Sequence, residues 1–171
     1  FSGLDNKNTT GQELNRLREY VKKGGKILLL DSNEAAKTMY PEYITGWIMP
    51  TEGDIVNLEI PESNVFEGIE PMDLRYFNNN RREVPTVCHS TLSVNRHPNL
   101  EELTSQTKIH GYISGEMDAR SERVKSMRGA NIVKIRDTGF VTLSTLSLEK
   151  AQTDPIPGKL LVNLINDLLN N

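Results

Sequence analysis

Leu17-Arg18-Glu19-Tyr20-Val21-Lys22-Lys23-Gly24-Gly25-Lys26-Ile27-Leu28-Leu29-Leu30 is the stretch whose reading decides the fold class. Leu17 and Val21 stand four residues apart, with Leu14 one turn earlier, while Arg16, Arg18, Glu19, Lys22 and Lys23 project elsewhere. That spacing is the apolar stripe of an amphipathic helix. Gly24-Gly25 supplies the left-handed stop that ends such a helix. Lys26 to Leu30 then forms an unbroken aliphatic run bounded by turn residues, which suits a strand covered on both faces. A helix followed at once by a doubly buried strand calls for α/β layering.

Toward the N-terminus, Thr10-Gly11-Gln12-Glu13 has the spacing of a capping box and predicts a helix over Gln12 to Lys23. Toward the C-terminus, Asp31-Ser32-Asn33 ends the strand and can cap a short helix through Ala35, Ala36 and Met39, which Pro41 closes. Two short strands are expected at 46–48 and 55–60, then a helical turn at Val65-Phe66-Glu67. The polar run Asn78 to Arg82 reads as a mobile loop, and the β-branched segment Val84 to Val94 as one strand containing Cys88. Leu100 onward reads as a short helix or polar loop leading to a strand at Ile109 to Ile113, and Glu116 to Arg128 as loop or an exposed helical turn. Asn131 to Ile135 and Phe140 to Ser144 flank Arg136-Asp137-Thr138-Gly139, a hairpin signature. Pro155 and Pro157 lead into a helix whose Leu160, Leu161, Leu164, Ile165, Leu168 and Leu169 must dock on the sheet. These elements predict a three-layer α/β sandwich with a mainly parallel sheet built around Ile27 to Leu30.

At 171 residues the chain fits a single domain spanning 1–171, long enough to hide roughly 70% of the surface it exposes when unfolded. Lys+Arg 20 against Asp+Glu 23 gives a net charge of −3, which speaks against a phosphate-reading surface and hence against a nucleic-acid partner. No aliphatic run approaches the ~20 residues that span a bilayer, and no membrane partner is expected. Cys88 is the single cysteine, so an internal disulfide and any multi-cysteine metal site are excluded. The chain opens Phe1-Ser2-Gly3 without a methionine and is read as a piece of a larger protein.

Three further blocks join the opening helix, Gly-Gly and aliphatic strand: Val65-Phe66-Glu67-Gly68-Ile69 followed by Asp73-Leu74-Arg75-Tyr76-Phe77, then Phe140-Val141-Thr142-Leu143-Ser144, then Gly158-Lys159-Leu160-Leu161-Val162-Asn163-Leu164-Ile165-Asn166. Together they resemble the class I glutamine-amidotransferase-like accessory domain carried by multidomain bacterial glycoside hydrolases of the family 2 and β-galactosidase type, including the trimerisation domain of some β-galactosidases. The resemblance implies a flavodoxin-like fold and a secreted or periplasmic parent hydrolase. It also implies a domain without its own catalysis, whose partners are other domains of the parent chain or further copies of itself. Family members carry a strand and crossover before the helix that starts here at Gln12, whereas only Phe1 to Thr9 precede it. A fragment lacking that first strand is therefore expected. Active amidotransferases set a nucleophilic cysteine in a Gly-flanked elbow, and no such elbow occurs here.

Several residues invite a functional reading. Asp31 and Ser32 fall at the carboxyl edge of the buried strand, where open α/β sheets bind ligands, although the same residues also suit helix capping. Trp47, near Tyr40 and Tyr43, offers a platform for carbohydrate, and the alternative is a set of anchors burying a loop. Arg75 and Tyr76 mix charge and ring in a way that fits a sugar or a neighbouring domain. Cys88 beside His89 suggests an activated thiol, yet neighbours on a strand point to opposite faces, which favours a core cysteine. His89, His97 and His110 lack metal-ligand spacing, and acidic pairs such as Glu101-Glu102 read as solvated surface. The expectation is therefore no catalytic residue, no metal and no cofactor, with Asp31, Ser32, Trp47, Arg75 and Tyr76 as ligand-binding candidates. Two alternatives stay beside it: a small hydrolase using Cys88, and a carbohydrate-binding module.

Overall fold

The computed structural model describes residues 10–48, 56–75, 87–109 and 126–170. Helix α1 (Gly11–Lys22) leads into β1 (Lys26–Leu30), α2 (Asn33–Met39), β2 (Ile44–Ile48) and β3 (Val56–Leu58). After 3-10 turns at Asn64–Phe66 and Asp73–Arg75 come β4 (Thr91–Val94), β5 (Leu100–Glu102), β6 (Thr104–Ile109) and β7 (Ser126–Gly129). The chain closes with β8 (Ile132–Arg136), β9 (Phe140–Ser144), a 3-10 turn at Leu148–Gln152 and α3 (Pro155–Asn170).

The capping box forms as the sequence predicts. The Thr10 side chain accepts from the Glu13 amide, and the Thr10 amide donates to the Glu13 carboxylate at 2.8 Å. The Thr10 amide, and the Thr10 hydroxyl at 3.1 Å, both donate to the Glu13 carboxylate and hold it below its usual range. Gly24, at φ +91°, stops the helix and turns the chain into β1. At the other end of the fold, Pro155 occupies the first position of α3 and the Asp154 carboxylate accepts from the Ile156 amide at 2.9 Å.

The main sheet runs in the order β1-β9-β8-β5. Strands β1 and β9 are parallel, from Lys26 opposite Phe140 to Leu30 opposite Ser144. The β8–β9 hairpin and the β5–β8 pair are antiparallel. Two smaller antiparallel sheets, β2-β4 and β3-β6-β7, are tied to it where Leu92 bridges Ala130 and where the Leu103 amide donates to the Ile132 carbonyl at 3.0 Å.

Alternation along the strands divides the core in two. Ile27, Leu29, Val133, Ile135, Val141 and Leu143 pack with Leu14 and Val21 of α1 and with Ala35, Ala36 and Met39 of α2. On the opposite face Leu28, Leu30 and Ile132 meet Leu160 and Leu164 of α3. Each fully buried side chain of this kind contributes about 1.5–3 kcal/mol, so the docking of α1, α2 and α3 on the two faces dominates the stability of this region. Lys134 Nζ of β8 lies 2.7 Å from Asp167 Oδ2 of α3, and both side chains are buried. This charge pair thus sits beneath the helix rather than at its rim.

Several expectations need correction. The sheet is mixed: among the described residues β1–β9 is the parallel pair and the remaining strand pairs are antiparallel. Among the described strands β1 stands at the end of the order rather than in the middle. An aliphatic run reports that both faces are covered; it carries no information about how many strands flank it. Among the described residues of the strand expected over 84–94, only Thr91–Val94 is strand, and Cys88 makes an isolated antiparallel bridge to Leu146; residues 84–86 lie outside the described residues. Leu100–Glu102 and Thr104–Ile109 are strands rather than a short helix or polar loop, and Ser126–Gly129 is strand in a segment expected, through Arg128, to be loop or a helical turn; residues 110–113 of the strand expected from Ile109 lie outside the described residues. Tyr20 of α1 is 54% exposed, with its ring lying over Gly25. The polar run at 78–82 lies outside the described residues.

Candidate functional site

Parallel pairing brings the carboxyl ends of β1 and β9 to one edge of the sheet. There a cleft of about 440 Å³ is lined by Leu30, Asp31, His89, Leu146, Leu148, Glu149 and Leu161. Its floor is built from the last residue of β1, from two alternate leucines beyond β9 and from α3. Its polar groups are the Asp31 carboxyl, the His89 imidazole and the Glu149 carboxyl.

Each polar group is placed by backbone that the core holds in position. The Asp31 amide donates to the Ser144 carbonyl at 2.9 Å, extending the parallel ladder by one step. Its φ of +45° makes it the non-glycine residue with left-handed backbone among the described residues. Asp tolerates that conformation better than most side chains, and the turn directs the chain from β1 into α2. His89 sits on a segment fastened along the end of β9. The His89 amide donates to the Thr145 carbonyl at 2.7 Å and the Ser147 amide to the Val87 carbonyl at 2.8 Å. Beneath that segment lies a buried polar junction. Thr145 Oγ1 donates to the Ser90 carbonyl at 2.6 Å, Asn131 Nδ2 donates to the same oxygen at 2.9 Å, and Ser90 Oγ donates to Asn33 Oδ1 at 3.1 Å. Satisfied buried bonds of this sort fix one arrangement of the chain. His89 Nε2 then lies 3.0 Å from Glu149 Oε2, both side chains reaching solvent at the rim.

Such an arrangement can accept hydrogen bonds and positive charge at its rim, enclose an aliphatic group on its floor, and hold an imidazole in one orientation for proton exchange. Among the described residues, the side chains that line it include no hydroxyl or thiol nucleophile. Cys88 is 2% exposed and belongs to the core beneath α3, so the alternation that turns His89 outward turns the thiol inward. Among the described residues no group of three His, Cys, Asp or Glu side chains is placed to hold a metal ion.

Of the residues singled out from sequence, Asp31 lines the cleft. Ser32 does not: it is buried, and its hydroxyl donates to the Leu30 carbonyl at 2.8 Å instead of capping α2. Trp47 is half-buried against the other core, with the Lys37 ammonium 5.8 Å from its ring centroid. Tyr40 beside it is buried, which removes one face from the expected Tyr40-Tyr43-Trp47 platform. Arg75 ends a 3-10 turn, and Tyr76 lies outside the described residues. His89 and Glu149 are the cleft residues that sequence reasoning did not bring together. They are 60 positions apart, and no local pattern links them.

No family model matches the chain, and no curated protein matches it either.

Proposed function

We propose that this chain is a non-catalytic accessory domain of a secreted or periplasmic bacterial carbohydrate-active enzyme, with a three-layer amidotransferase-like fold that orders neighbouring domains or the oligomer. The observation that carries this reading is the outer face of α3. Val162, Ile165 and Leu169 are 55%, 41% and 70% exposed and recur at intervals of three and four, so they form one stripe. The same helix buries Leu160, Leu164 and Asp167 on its other side. A helix apolar on both sides needs cover on both, and one side has its cover within the chain. Helices on both faces of a sheet with a parallel β1–β9 pair support the three-layer assignment. The burial of Cys88 argues against the alternative of a thiol-dependent hydrolase.

Replacing Val162, Ile165 and Leu169 together by Gln tests the reading in the full-length gene product. Because the stripe is exposed, each change should shift stability by no more than about 0.5 kcal/mol. Interdomain or intersubunit association, followed by sedimentation and limited proteolysis, should weaken. Unchanged assembly would count against docking through α3.

A further inference from the structure

We propose that the cleft at the carboxyl ends of β1 and β9 binds a small molecule carrying a primary ammonium group on an aliphatic body. This goes beyond the accessory role, which rests on α3 and stands or falls separately. The floor is four leucine side chains, which favour an alkyl group over water. At the rim, Asp31 and Glu149 present carboxyl oxygens that can only accept when ionised, and an ammonium offers three donors and no acceptor. Among the described residues the lining holds no Lys or Arg, and the His89 imidazole beside Glu149 is the one side chain there that can carry a positive charge against the two carboxyl groups. That balance disfavours anions and favours a cationic ligand. A sugar is less well matched, because among the described residues no Trp, Tyr or Phe lines the cleft for a pyranose face to stack on. The volume, about 440 Å³, falls within the range of small-molecule sites and admits a chain of several carbons. His89 Nε2 lies 3.0 Å from Glu149 Oε2 and, as donor, steadies that carboxylate at the rim.

The test titrates the full chain with n-hexylamine at neutral pH and follows the resonances of His89, Leu146 and Leu148 by NMR. Saturable shifts confined to the cleft are expected, with 1-hexanol and methyl β-galactoside giving none. Charge-assisted hydrogen bonds carry enough energy that Asp31→Asn and Glu149→Gln should each weaken hexylamine binding about tenfold or more. Asn accepts the left-handed backbone at position 31 as Asp does, and Glu149 is exposed, so at least the second variant keeps the fold. Hexanol binding as tightly as hexylamine would reduce the site to its apolar floor and overturn the proposal. Saturable galactoside binding in the cleft would make it a sugar subsite, and hexylamine binding indifferent to both variants, or absent, would equally overturn it.

Discussion

Gly139 shows how tightly a single residue can be constrained. Its amide donates to the Val21 carbonyl at 2.9 Å, and a Cβ there would run into the carbonyl oxygens of Gly25 and Val21. Gly139→Ala should therefore cost about 2 kcal/mol or more, since backbone rather than a flexible side chain would have to give way. A urea midpoint within error of wild type would show that the hairpin tip is not docked on the end of α1. Tyr40 makes a different prediction. Burial pushes its phenol up to about 12, while the Arg18 guanidinium, 5.2 Å from the ring centroid, opposes the shift. An unfolded phenol ionises near pH 10, so the folded chain holds this proton more tightly. The resulting stabilisation is complete below about pH 10 and is lost as pH rises through about 12. Its hydroxyl has no hydrogen-bond partner among the described residues. Tyr40→Phe should thus change stability at pH 7 by less than about 1 kcal/mol and remove the alkaline loss. Absorbance at 295 nm and thermal melts across that range check both. At this scale Asp31 was legible from the rule that ligands gather at strand carboxyl ends, whereas His89 and Glu149 became neighbours only through the packing of β9 against the segment at Cys88.

Between elements, the pair Lys134–Asp167 joins the sheet to α3 out of contact with water. Removing one member strands a buried charge, so Lys134→Met should destabilise by about 3–5 kcal/mol, and Lys134→Met with Asp167→Leu should recover most of that loss. Equal effects of the single and double variants on urea unfolding would mean that the two charges do not depend on each other. What could be read of the elements follows from where their information lies. α1, β1, the β8–β9 hairpin and α3 declare themselves through their own apolar spacing and turn residues. Leu100-Glu101-Glu102 and Thr104 to Ile109 carry few apolar side chains, and they are strands because β8, β3 and β7 offer them hydrogen bonds. The parallel expectation for the sheet failed for the same reason: a covered strand tells of its faces, and partner direction is set by the chain elsewhere.

For the whole molecule, two faces carry the functional account. The core face is closed: Cys88 is sealed under α3, so a thiol reagent should label it no faster than the chain opens, with the rate rising in step with urea-induced unfolding. Rapid labelling in native buffer would reopen the hydrolase reading. The outer face of α3 is where an accessory domain would meet its surroundings, and it can be examined with a single reporter. The most direct measurement places a photoreactive benzoylphenylalanine at Ile165 in the full-length gene product and maps the crosslinks by mass spectrometry. The account predicts capture of a segment outside residues 10–170 or of a second copy of the chain. Efficient activation with no protein crosslink at that position would contradict it.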